Sequence, residues 1–139
     1  SPGEADDEFV KAFKKINDDF NKGPDKRWDN NVLQGMNIGY LTTAALMGAG
    51  KDLTRPGIIK WVENNPAKLS SAALSPLGFS AKTHEAFTGF WIGAYDATTV
   101  LKPVDATRKV WTTDSGKGPV TELKYTRPAI AADALPKVG

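Results

Sequence analysis

The stretch "LSPLGFSAKTHEAFTGFWIGAYDATT" at residues 74–99 sets a turn with proline and glycine, the chain's single histidine and a run of aromatics side by side. Over 87–95 the residues alternate, with Phe87, Gly89, Trp91, Gly93 and Tyr95 on one face and Thr88, Phe90, Ile92 and Ala94 on the other. Both faces are largely apolar, which predicts a strand buried on two sides in an α/β sheet, entered from a polar loop at 78–86. Residues 99–104 and 109–113 read as two further short strands, and "DSGKG" at 114–118 as a turn.

Upstream of this stretch the period is helical. In "ADDEFVKAFKKINDDF" at 5–20, Phe9, Phe13, Ile16 and Phe20 share one helix face. Asp6, Asp7 and Glu8 sit in its first turn, where carboxylates complement the helix dipole, and Gly23-Pro24 stops it. Lys11, Lys14, Lys15 and Asp18 form the opposite face, expected to be solvated. A second helix runs over 31–50 with Leu33, Met36, Tyr40, Ala44 and Met47 at helical spacing. Val32, Ile38, Leu41, Ala45 and Leu46 fill its other sides, so it is expected to be covered on most of them. Gly35 and Gly39 form a small-xxx-small pair that predicts a close backbone approach, and Gly48 and Gly50 supply the stop. Thr54 or Arg55 caps a third helix with Pro56 in its first turn, Ile58, Ile59 and Val62 on one side, and Pro66 at its end. Arg127 onward, with Pro128, Pro136 and several alanines, reads as a tail without regular structure.

With 139 residues, 40% of them hydrophobic and 24% charged, the chain has the composition of one soluble globular domain. A net charge of +2 argues against nucleic acid or an anionic membrane as partner. The absence of cysteine removes disulfides and thiolate chemistry. Residues 32–50 are apolar, but their polar and glycine interruptions mark a buried helix and not a membrane span. The start, Ser1-Pro2-Gly3, carries no signal peptide and reads as a processed or cut end.

No motif marks an enzyme. "GAGKD" at 48–52 lacks the first glycine and the hydroxyl residue of a phosphate loop, having Ala45 and Asp52 there, and it closes a helix where that loop opens one. His84 beside Glu85 suits a general base, yet no nucleophile is marked near it, and a surface histidine is the plainer reading. One histidine with scattered carboxylates predicts no metal and no cofactor. Phe90, Trp91, Tyr95 and Trp111 suit either a stacking platform for bases or sugars or, as expected here in the absence of a basic groove, core packing.

The order of segments carries more. "VLQGMNIGYLTTAALMGAGKDLTRPGIIKWVENN" followed by "LSPLGFSAKTHEAFTGFWIGAYDATTVLKPV" resembles the C-terminal part of the type I periplasmic binding proteins, the solute-binding proteins of ABC importers of the leucine/isoleucine/valine-binding kind, over about residues 8–104. The resemblance implies an α/β fold that is part of a two-lobe architecture: the chain 1–139 is a C-terminal fragment. Residues 8–86 are then mainly first-lobe helices, 87–125 the hinge-crossing strand and second-lobe strands, and 126–139 the tail. It implies capture of a small amphipathic solute, an amino acid or related carboxylate, by an exported periplasmic or cell-surface lipoprotein that delivers it to an ABC permease. The remainder of the protein, or a second copy, would cover exposed sheet edges. The position after the helix-opening glycine, often aromatic in that family, is Met36, flanked by Gln34 and Asn37; these three are the candidate ligand-binding residues, although Met36 also lies on the core stripe with Leu33 and Tyr40. A ligand-sensing domain of a receptor or regulator with the same fold is the alternative, and a small hydrolase using His84 a more distant one.

Overall fold

Three capped helices come first, and short antiparallel strands follow. The computed structural model describes residues 5–98, 101–104, 109–113 and 118–136. Helix α1 spans Glu8–Phe20, α2 Asn30–Ala49 and α3 Arg55–Asn64. Each starts where a short polar side chain can take up the free amides of the first turn. Asp7 Oδ1 accepts from the amides of Phe9 (2.9 Å) and Val10 (3.3 Å), Asp29 Oδ1 from Asn31 and Val32, and Thr54 Oγ1 from Gly57 (3.1 Å). The first helix thus begins at Glu8, two residues later than a first turn containing Asp6 and Asp7 requires.

The core is small and aromatic. Phe9 and Phe13, both fully buried, meet Tyr40 of α2 with ring centroids 5.7–5.9 Å apart, two of the three pairs edge-to-face, the favoured geometry for ring quadrupoles. Leu33, Val10 and Ala134 complete it. Phe20 does not join: it is 54% exposed, one turn beyond the last core contact of α1. Lys14–Asp18 and Lys15–Asp19 ion pairs line the outer face of α1, which is solvated as its sequence requires.

Helix α2 departs from expectation. It carries no charged residue, yet only one side is covered, by α1, α3 and the C-terminal segment. Gly35, Ile38, Gly39, Thr42 and Leu46 are exposed on the other. Among the described residues no atom of another segment lies within 4 Å of where a Cβ would stand on Gly35 or Gly39, so none of them brings its backbone against the small-residue pair. Gly48 is the glycine that permits close packing, because the Trp61 ring of α3 occupies the space its side chain would need. Among the described residues no helix is long and apolar enough to cross a membrane.

Past α3, Pro66–Lys68 forms a 3₁₀ turn and Leu69, Ser70, Ser71, Ser75 and Leu77 are buried. The loop 78–86 folds back as a small hairpin, with Leu77 bridging Phe87 and Ser80 bridging Thr83. The predicted long strand over 87–95 is broken into β1 (Gly89–Phe90) and β2 (Gly93–Tyr95), which belong to different sheets. Strand β3 (Leu101–Pro103) pairs with β2, and β4 (Trp111–Thr112) lies between β1 and β5 (Thr121–Glu122), all antiparallel. Sheets of two and three such short strands cannot cover two faces, and Phe87, Phe90, Trp91, Ile92 and Tyr95 are all exposed. The two-sided burial read from the alternation is therefore corrected, as is the core role assigned to Phe90, Trp91 and Tyr95; Trp111, the fourth of that set, is half-buried. The architecture is a small mixed α/β domain with three helices and a few antiparallel strands. Of the predicted turn at 114–118, residues 114–117 lie outside the described residues.

The C-terminal segment is also corrected. Residues 127–136 are anchored to the core: Arg127 pairs with Asp7 and stacks on Phe9, Ser70 Oγ reaches the Ala129 carbonyl (3.3 Å), and the Ala131 amide donates to Tyr40 Oη (2.8 Å). A 3₁₀ turn at Ala132–Ala134 then buries Ala134. Alanines are short enough to lie flat over the α1–α2 seam, which is why an unpatterned stretch packs.

Candidate functional site

The three candidate ligand residues all lie on α2, where a rotation of about 100° per residue turns Gln34, Met36 and Asn37 to different sides of the helix. Gln34 is exposed. Asn37 is 3% exposed, and its Oδ1 accepts the Ala72 amide at 2.8 Å, so it serves as a strut between α2 and the 69–72 segment. Met36 alone reaches a concavity. The structure does not bring the three together.

That concavity is an open groove of about 220 Å³ where α1, α2 and the C-terminal segment meet. Met36, Phe13, Ile16 and Leu135 line it, with bare Gly35 and Gly39 leaving it open along α2. Thr43 stands at one end with its hydroxyl already donated to the Gly39 carbonyl (3.0 Å). The lining is apolar with a polarisable thioether, suited to an aliphatic group. Leu135 was not legible as a site residue, since nothing local in the tail ties it to α2; its apolar side chain among alanines was the only signal.

His84 lies elsewhere, on the hairpin. Its Nε2 is 2.8 Å from Glu63 Oε1 of α3, so the neighbouring Glu85 is not its partner, and the pair ties the hairpin to the helix. Among the described residues no three His, Asp or Glu side chains gather as a metal-holding group. The shifted titrations lie away from the groove. A hydrogen bond from Lys11 holds the exposed Asp6 carboxyl below its usual range, with the Lys11 ammonium raised in return, and burial pushes the Tyr125 hydroxyl up.

Of the four aromatics, Phe90 and Trp111 meet on the three-stranded sheet, while Trp91 lies between β1 and β2 and Tyr95 is on β2. Phe90, Trp111 and Glu122 are register partners across β1, β4 and β5, which places their side chains on one face. Lys109 Nζ stands 5.9 Å from the Trp111 ring centroid and 3.4 Å from Glu122 Oε2. On the other face a side chain at Gly89 would run into Ser75 and Val110, so that face is the packed one. Set against known proteins, the chain matches no protein-family model, no curated protein and no solved structure.

Proposed function

We propose that this chain is the C-terminal part of a type I periplasmic solute-binding protein, exported to the periplasm or cell surface, that captures a small amphipathic solute such as an amino acid for an ABC permease. The single observation that carries this reading is the Met36 groove: the position singled out by the order of segments is the one of the three that faces an apolar concavity, of a size for one aliphatic side chain. Capture in such a protein is closure of two lobes over the ligand, favoured only as far as the ligand binds the closed state better, and no bond is made or broken. A chain holding one wall of the cleft binds weakly alone. The rest of the protein, or a second copy, covers what is bare here: Ile38 and Leu46 of α2, and Ile92, Tyr95 and Val104 around the β2–β3 ribbon, all 42–73% exposed. A receptor or regulator that senses the same solute with the same fold is the alternative within this reading.

The test joins the gene to the protein. The reading frame upstream of Ser1 is expected to continue for another lobe of roughly 100–200 residues behind an export signal. The thermal midpoint of the full product is expected to rise with at least one of the common amino acids, and Met36→Ala to weaken that effect. A start codon directly before Ser1, or a midpoint that none of the amino acids moves, overturns the reading.

A further inference from the structure

We propose that the outward face of the β1–β4–β5 sheet is a stacking site for a neutral polyhydroxylated ring, a sugar residue of a glycan. The sheet is turned against the usual rule: its packed face carries Gly89 and Val110 against Ser75, and the aromatic row lies on the opposite face, with Phe90 exposed and Trp111 half-buried. Phe90 is 39% exposed and lies directly across from Trp111. Aromatic rings at neighbouring cross-strand positions supply electron-rich surface that attracts the weakly positive C–H groups of a sugar.

The charges beside them select the ligand. Lys109 and Glu122 are 3.4 Å apart with side chains 35% and 40% exposed, an ion pair of little net strength that opens at little cost. A hydroxyl is both donor and acceptor, so adjacent hydroxyls of a sugar can accept from the ammonium and donate to the carboxylate at once. A nucleic-acid strand fits poorly, because Lys109 beside the rings is matched by the Glu122 carboxylate, which repels phosphate, and the chain is only +2 overall. A bilayer fits poorly as well, since Glu122 would lose its water there. This site lies on different elements from the Met36 groove and goes beyond the solute reading.

The test is a titration of the isotope-labelled chain with methyl glucoside, cellotriose and maltotriose, followed residue by residue through amide NMR shifts. At least one trisaccharide is expected to shift Gly89, Phe90, Trp111, Thr112, Thr121 and Glu122 together, with a dissociation constant of about millimolar or tighter. Trp111→Ala is expected to weaken it roughly tenfold or more. Glu122→Gln and Lys109→Met, changes on the solvent side that keep the fold, are expected to weaken it severalfold and serve if Trp111→Ala unfolds the sheet. No shift at these residues with any of the three sugars, unchanged binding in all the variants, or shifts produced by a thymidylate oligomer and not by sugars overturns the proposal. None of these outcomes depends on whether amino acids bind at Met36.

Discussion

Asp7 and Arg127, 120 residues apart, are joined where α1 begins: one oxygen of Asp7 caps the helix and the other holds the Arg127 guanidinium, which lies over the Phe9 ring. The pair is mostly shielded, with side chains 21% and 18% exposed. Asparagine is as good a cap as aspartate, so Asp7→Asn isolates the charge partner while Asp7→Ala removes both roles. Asp7→Ala is expected to be the more destabilising of the two by about 1 kcal/mol in urea unfolding. Equal losses for the two variants would show that the cap contributes nothing.

The Tyr40 hydroxyl does for the C-terminal segment what Asp7 does for its start. It accepts the Ala131 amide at 2.8 Å and shares a hydrogen bond with Ser70 Oγ at 3.1 Å. Tyr40→Phe keeps the ring in the aromatic core and strands those partners, which is expected to cost about 1–3 kcal/mol. Proteolysis should then cut first within 127–136; an unchanged urea midpoint and cleavage pattern would mean that the ring alone holds the segment.

These two anchors also show where sequence reading stops. The helices were legible because their signals are local: Phe9 and Phe13 four residues apart, Thr54 before Pro56, Pro66 after α3. The contacts of Arg127, Ala131 and Ser70 span 120, 91 and 59 residues and leave no periodic trace. Alternation over 87–95 did give extended backbone in two places, Gly89–Phe90 and Gly93–Tyr95. It could not report that the chain changes sheets between them, nor which face of Phe90 finds a partner. Met36 was legible as a residue on the inner side of α2, whereas the Leu135 wall of its groove was not.

Gly48 and Trp61 form a coupled pair. Any Cβ at position 48 overlaps the indole ring, so Gly48→Ala must push Trp61 out of its seat on α2. The expected loss is about 1–3 kcal/mol despite the better helix propensity of alanine. With Trp61→Ala in place the steric conflict is gone, and Gly48→Ala is expected to become stabilising by up to about 1 kcal/mol. A double-mutant cycle with no coupling would show that the two residues do not touch in solution.

Stability at high pH is expected to fall through Tyr125. Burial raises its hydroxyl above the ordinary value of 10.0, partly countered by the nearby Arg127 charge. The folded state therefore holds this proton more tightly than the unfolded one. The contribution is fully present below the unfolded value and is lost as pH rises from there through the folded value. Tyr125→Phe cannot ionise, so its urea midpoint should decline less than the wild type's between about pH 9 and pH 11, a window that brackets the ordinary tyrosine value. Parallel declines in the two proteins would assign the alkaline loss to other groups and leave Tyr125 free to ionise in the folded state.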